Sequence, residues 1–290
     1  MIRALFVASR PVSWVNTAYP FAAAYVLAAG QLDATLVVGT IFFLIPYNLL
    51  MYGINDVFDY ESDLRNPRKG GVEGALLRPS YHRATIVAAI VSCVPFVVYL
   101  AIVGWWSGTV WLAVSLAAVV AYSAPVLRFK ERPFLDSVTS STHFVSPAIV
   151  GLAIADVAWT PQLLAVIAAF FLWGMASHAF GAVQDVLADR EAGIGSVATV
   201  IGARATVRLS LVLYLAAGAL LLLAPWPGQL AAALALPYAA NVAPWWSVAD
   251  ADAESANRGW RRFLWINYVT GFLVTMVLIA WAFLGATPAP

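Results

Sequence analysis

Soft metal ligands are nearly missing from this sequence: among 290 residues there is one cysteine, Cys93, and only three histidines. A lone cysteine inside an apolar stretch makes neither an intramolecular disulfide nor a thiolate metal centre, and reads as packing. Charge is scarce as well. Asp, Glu, Lys and Arg make up 11% of the chain and the net charge is +1, so no basic surface for nucleic acid is expected. The ten-residue segments of alternating polarity that a membrane β-barrel requires do not occur. Gly193-Ile194-Gly195 follows an apolar helical stretch instead of a strand, which removes the context of a dinucleotide site, so nicotinamide and flavin are unsupported. The first apolar stretch has no short core followed by a small-residue cleavage site, and reads as a retained span, not a signal peptide.

What fills the chain is hydrocarbon. Hydrophobic residues reach 62% and mean hydropathy is +0.82, well above soluble domains, so the bilayer is the solvent. The expected fold is all-α: one polytopic membrane domain over residues 1–290. Nine apolar stretches of about 17–22 residues are each long enough to cross about 30 Å of hydrocarbon. They run near 11–29, 34–53, 84–103, 105–122, 136–155, 162–183, 205–224, 228–248 and 263–285. Threaded in order, these nine helices put all sixteen Lys and Arg on one side, while the opposite loops carry Asp33, Asp156 and no basic residue. The positive-inside rule then predicts a cytoplasmic N-terminus and a multi-pass cell-membrane protein.

Two acidic clusters interrupt this apolar chain. The first is Asn55-Asp56-Val57-Phe58-Asp59-Tyr60-Glu61-Ser62-Asp63, and the second Gln184-Asp185-Val186-Leu187-Ala188-Asp189-Arg190-Glu191. Spacings of three and four put Asp56, Asp59 and Asp63 on one face if the helix continues through the motif; Asp185 and Asp189 are likewise one turn apart. Carboxylates that close repel unless a cation lies between them, and hard oxygen donors suit Mg²⁺. Since Mg²⁺ commonly keeps waters and adds substrate phosphate oxygens to one or two carboxylates, the pattern points to a bound diphosphate. Arg65, Arg68 and Lys69 follow the first cluster, Arg128 and Lys130 lie in the loop between, and Arg190 sits inside the second; each is a candidate for the phosphate oxygens. A single acidic helix end is often a solvated cap, and basic loops follow from topology. The pairing N-D-x-x-D-x-x-x-D with D-x-x-x-D on one side of the membrane is what argues for a site that faces the cytoplasm.

At these residues the chain resembles the UbiA superfamily of intramembrane prenyltransferases. Asn55, Asp56, Asp59 and Asp63 match the family's first motif; Asp185 and Asp189, followed by Gly193-Ile194, match its second. Tyr122-Ser123-Ala124-Pro125, leading to Arg128 and Lys130, is a third typical element. The resemblance implies a nine-helix bundle with Mg²⁺ held on a prenyl diphosphate by Asp56, Asp59, Asp63, Asp185 and Asp189. It also implies that basic, Asn and Tyr side chains take the remaining oxygens, with Asn55, Asn16 and Tyr122 as candidates. Within that superfamily, residues 9–20 (SRPVSWVNTAYP), 65–71 (RNPRKGG) and 180–185 (FGAVQD) look like the bacterial lycopene elongases. The implied donor is dimethylallyl diphosphate and the implied acceptor lycopene, an apolar polyene that needs a long groove open to lipid and no buried charge.

His143 and His178 are open to reading as bases or as packing partners. Rival readings are an aromatic or quinone-precursor prenyltransferase with the same metal site, a transporter using the acids as a cation site, and a non-catalytic subunit of a carotenoid-modifying complex. A partner subunit from the carotenoid pathway is a further possibility.

Overall fold

Proline and its neighbours punctuate the helices. In a computed structural model, which describes residues 1–64 and 76–285 (only the backbone of 62, 63 and 285), every regular element among the described residues is a helix. In chain order these are α1 (Ile2–Ala8), α2 (Val15–Ala29), α3 (Ala34–Leu44), α4 (Pro46–Phe58), α5 (Tyr60–Asp63), α6 (Pro79–Val103), α7 (Trp105–Ser123), α8 (Leu135–Ile154), α9 (Pro161–Val183), α10 (Val186–Ala192), α11 (Val197–Leu221), α12 (Ala235–Val242) and α13 (Asn257–Gly285). Pro46, Pro79 and Pro161 open α4, α6 and α9, where the missing N–H has no partner to lose.

Seven helical segments among the described residues are long and apolar enough to cross a membrane: 34–58, 79–103, 105–123, 135–154, 161–183, 197–221 and 250–284. Two of the nine apolar stretches take a different form. The stretch 11–29 is the 3-10 turn Pro11–Ser13 followed by the 15-residue α2. The stretch 228–248 is a 3-10 segment, Gly228–Leu234, the 8-residue α12 and a second 3-10 turn, Ala243–Trp245. Hydropathy alone does not register these interruptions. Pro11 lies in the first, and Pro237 and Pro244 lie in the second.

The chain divides into two compact units, residues 1–129 with 142–157 and residues 130–141 with 158–290. In the first, α2 packs on α3 and α4 on α6. Its core is aromatic: Phe43 lies 5.2 Å from Phe21 and 5.1 Å from Tyr47, ring centre to ring centre. Gly39 admits the Phe21 ring, since a Cβ there would collide with it. Where Pro46 interrupts the ladder between α3 and α4, side chains take over. Asn48 Nδ2 donates to the Phe43 carbonyl at 2.8 Å, the Leu44 carbonyl at 3.1 Å and Thr17 Oγ1 at 2.7 Å, while Thr17 Oγ1 donates to the Phe43 carbonyl at 2.6 Å. In hydrocarbon such carbonyls have no water to turn to. Asp33 caps α3 through the Leu36 N–H at 2.9 Å. That bond, together with the Tyr25 hydroxyl, holds its carboxyl below the usual value.

In the second unit α9 and α11 form the main pair, with Tyr214 stacked on Tyr238 at 5.2 Å. Helix α11 is broken at Gly202, whose φ of 81° and ψ of 163° suit glycine. The next amide, Ala203 N–H, is satisfied by Asp250 Oδ1 at 2.7 Å.

Candidate active site

The first acidic motif straddles a helix end. Helix α4 stops at Phe58, Asp59 is its C-cap, and α5 resumes over Tyr60–Asp63, so the run stays close to helical instead of forming one unbroken helix. Asp56 and Asp59 are both buried, 1% and 6% exposed. Buried carboxylates need compensation. Arg10 supplies it for Asp56: Nη2 donates to Oδ1 at 2.9 Å while the guanidinium stacks 4.3 Å above the Tyr52 ring. Arg128 supplies it for Asp59, Nη2 to Oδ1 at 3.7 Å.

Both arginines are held in the left-handed region, φ 49° at Arg10 and 39° at Arg128. Such backbone costs about 1–3 kcal/mol per residue and persists where surrounding structure enforces it. At Arg10 the enforcement is visible. Pro11 disfavours the right-handed helical region for the residue before it, and Trp14 Nε1 donates to the Ser9 carbonyl at 2.9 Å, closing the turn around Arg10.

Asn55 Oδ1 accepts from Ser123 Oγ at 3.0 Å, which ties the end of α7 to the first motif. Tyr122, the residue before, is half-buried and meets His143 edge-on at 5.0 Å. The structure thus brings Asn55, Asp56, Asp59, the 122–123 pair and Arg128 into one region of the first unit. Lys130 follows in the 3-10 turn Phe129–Glu131. Asn16 is exposed in the first turn of α2. Arg65, Arg68 and Lys69 lie outside the described residues, and Asp63 is placed only by its backbone in α5.

The second motif sits at a break as well. Helix α9 ends at Val183, Gln184 is its C-cap, and Asp185 is the N-cap residue of α10, which carries Asp189 one turn later. Both carboxylates are half-buried. Helix α10 ends on Gly193 at φ 69°, and the Ile194 amide returns to the Asp189 carbonyl at 2.8 Å, a closure that requires the left-handed residue. Gln184 is fixed from two sides, donating to the Gly181 carbonyl at 2.9 Å and accepting from Asn257 Nδ2.

Arg190 is committed within its own unit. Its Nη1 meets Asp250 Oδ2 at 2.6 Å and its Nε donates to the Thr199 carbonyl at 2.9 Å. It therefore ties α10 to the segment 250–256 and to α11, a fastening role that the sequence pattern does not display.

The donor chemistry fits Mg²⁺. Each motif offers aspartate oxygens, the first adds the Asn55 amide, and no His or Cys stands among them. No group of three or more His, Cys, Asp or Glu among the described residues could hold a metal alone. A two-carboxylate set suits an ion that completes its octahedron with water and phosphate oxygens.

Sequence reasoning passed over Arg10, although the residue stands in the run 9–20. Its 46-residue separation from Asp56 leaves no local signal. Asp136, Ser137 and Asp250, all engaged by hydrogen bonds in the second unit, were likewise unmarked.

Known proteins resemble this chain at the level of family, of individual relatives and of fold. A family model described as the UbiA prenyltransferase family matches residues 17–269. The lycopene elongase/hydratase of Corynebacterium glutamicum is 55% identical over 96% of this chain and 97% of its own length. The C(50) beta-cyclic carotenoids biosynthesis protein LbtBC of Dietzia sp. is 61% identical over 96% of this chain, which spans 65% of that longer protein. Among solved structures, a UbiA homolog from Archaeoglobus fulgidus bound to GPP and Mg²⁺ superposes with a TM-score of 0.68 at 17% identity, covering 92% of this chain and 99% of that one. Its DMAPP and Mg²⁺ complex gives 0.67 at 18%, covering 92% and 98%. At these identities the structural likeness shows the fold.

Proposed function

The chain belongs to the UbiA prenyltransferase family, and from that premise we propose that it transfers the dimethylallyl group of dimethylallyl diphosphate to the ends of lycopene, yielding C45 and C50 carotenoids and diphosphate. The observation that carries this reading is the 55% identity, over nearly the whole of both chains, to a relative named lycopene elongase/hydratase. Both carboxylate motifs are present without a substitution.

Asp56, Asp59, Asp63, Asp185 and Asp189 would hold Mg²⁺ together with the diphosphate. Bound there, Mg²⁺ would neutralise developing charge on the leaving group and so ease departure of the allylic C–O bond's electron pair. The chain's own part is electrostatic and steric. Asn55, Asn16, Tyr122, Lys130, Arg65, Arg68 and Lys69 are the proposed contacts to the remaining diphosphate oxygens. Arg10 and Arg128 keep the buried carboxylates of the first motif compensated, and on substrate binding their donors are at hand for phosphate oxygens. Arg190 contributes by anchoring α10 through Asp250. An allyl cation is quenched by water, so the apolar helices also serve by excluding it.

The reading extends to topology. One catalytic domain spans the chain, crosses the cell membrane nine times, and faces the cytoplasm with its N-terminus and active site, as the one-sided distribution of all sixteen Lys and Arg supports. Expression in a lycopene-producing bacterial host tests the acceptor: chromatography and mass spectrometry should reveal new C45 and C50 pigments. Unchanged lycopene beside well-inserted protein would refute lycopene as acceptor and favour a quinone-type one.

A further inference from the structure

Helix α9 carries one ionisable side chain along its 23 residues, His178. A titratable group in a membrane-spanning helix is expensive and calls for a partner. The partner here is built. His178 Nδ1 lies 3.2 Å from Ser137 Oγ, and the Asp136 carboxylate acts electrostatically on the same imidazole. Asp136 is completely buried and Ser137 is 3% exposed. The carboxylate is itself fixed: Oδ1 accepts the Ser137 N–H at 2.7 Å, and Oδ2 accepts the Val197 N–H at 2.8 Å, in the first turn of α11, where the helix dipole favours a negative charge. All of this lies within the second unit.

Packing alone does not call for this arrangement. A histidine wanted only for volume needs neither an oriented hydroxyl nor a buried carboxylate behind it, whereas a base that must become cationic in an apolar medium needs both. Its position matches that use. His178 lies five residues before the end of α9 at Val183, about 7–8 Å along the axis from the break at which the second motif begins. The other intramembrane candidate, His143, belongs to the first unit and sets its ring edge-on against Tyr122.

We propose that His178 is the catalytic base that accepts the proton released when the prenylated acceptor cation is quenched, with Ser137 and Asp136 as its positioning residues. The inference rests on the prenyl-transfer reading above and deepens it. The C1–O bond of the donor breaks with its pair going to diphosphate, and the terminal π bond of the acceptor forms the new bond to C1. The resulting tertiary cation either loses a proton from a neighbouring carbon, giving an alkene, or takes up water, giving an alcohol after loss of one water proton. In both routes one proton passes to Nε2, with the Nδ1 hydrogen directed at Ser137 Oγ. The product is neutral, and the imidazolium is stabilised by Asp136 until it releases its proton to solvent.

The test compares wild-type protein with His178→Gln, Ser137→Ala and His143→Gln in lycopene-containing vesicles with dimethylallyl diphosphate and Mg²⁺. Diphosphate, carotenoid products and dimethylallyl alcohol are quantified together. Donor ionisation and C–C bond formation both precede the proposed step, so His178→Gln should still release diphosphate. The acceptor cation that keeps its proton then reverts by cleavage of the new C–C bond to lycopene and the allyl cation, which water captures. The ratio of carotenoid to diphosphate should fall about a hundredfold, the scale of a lost general base, with dimethylallyl alcohol rising to match and Ser137→Ala falling between. An unchanged ratio in His178→Gln overturns the proposal, as does a loss of diphosphate release in equal measure with carotenoid, or the diversion appearing in His143→Gln instead. If the wild-type protein releases diphosphate but makes no carotenoid, the acceptor reading itself fails, a result distinct from all of these.

Discussion

Arg10 Nη2 donates to Asp56 Oδ1 across 2.9 Å, joining the residue before the first proline of the chain to the first carboxylate of the N-D-x-x-D motif. The Asp56 side chain is wholly buried and that of Arg10 is 18% exposed, so the pair is an internal one. Its guanidinium also covers the Tyr52 ring, and its backbone is held at φ 49°. Three independent features therefore fix this arginine against the motif.

Breaking a buried ion pair from one side costs about 3–5 kcal/mol because the remaining charge is left uncompensated. Arg10→Ala should accordingly lower the Tm of the detergent-solubilised protein in chelator, and Mg²⁺ with inorganic diphosphate should recover part of the loss by supplying Asp56 with another cation. Arg10→Lys should fall between the two, since an ammonium keeps the charge but lacks the planar face that lies over Tyr52. A Tm for Arg10→Ala equal to that of wild type in chelator would refute the compensating role.

Asp56→Asn and Asp185→Asn remove one carboxylate from each motif while keeping size. Each should lower carotenoid formation at least about a hundredfold, the order expected when electrostatic stabilisation of a leaving group is lost. Membrane levels of Asp185→Asn should stay near wild type, whereas Asp56→Asn removes the charge that faces Arg10, so activity is compared per amount of inserted protein. Retention of activity in both variants would sink the metal assignment.

The bridge over the α3–α4 break should matter to stability and not to chemistry. Asn48→Ala removes the donor to the Phe43 and Leu44 carbonyls and to Thr17. Buried carbonyls without a partner cost about 1–3 kcal/mol each. Thr17 still serves Phe43. The net loss should therefore be about 2 kcal/mol, read as a lower detergent-melting temperature with unchanged product identity.

Asp250→Ala releases Arg190 and leaves the Ala203 amide at the Gly202 kink unsatisfied. The salt bridge is half exposed and contributes little, so most of the effect should come from the amide. Asp250→Asn keeps an acceptor for that amide and should be milder than Asp250→Ala when residual activity is followed against temperature.

How far the sequence carries can be seen at individual residues. The Asp motifs were legible because a spacing of three and four stacks carboxylates on one helix face, a costly arrangement in an apolar chain unless a cation binds there. The structure buries Asp56 and Asp59 at the end of α4. Apolar length marked where the helices lie but not where they break. At 11–29 the turn forced by Arg10-Pro11 uses up the first residues, and at 228–248 prolines split the stretch into 3-10 and short α segments. Long-range partners were invisible: nothing local to Arg10 announces Asp56, and nothing local to Arg190 announces Asp250, sixty residues on. Arg190 looked like a phosphate ligand because it stands beside Asp189, yet its guanidinium turns to Asp250 and Thr199.

The most direct measurement supplies deuterium-labelled dimethylallyl diphosphate to the purified protein in lycopene-bearing vesicles with Mg²⁺ and follows the label by mass spectrometry. C45 and then C50 carotenoids carrying one and two labelled dimethylallyl units are expected, with no labelled carotenoid from Asp56→Asn. Lycopene that stays unlabelled while the wild-type protein turns over the same donor with an aromatic or quinone-precursor acceptor would contradict the proposed acceptor.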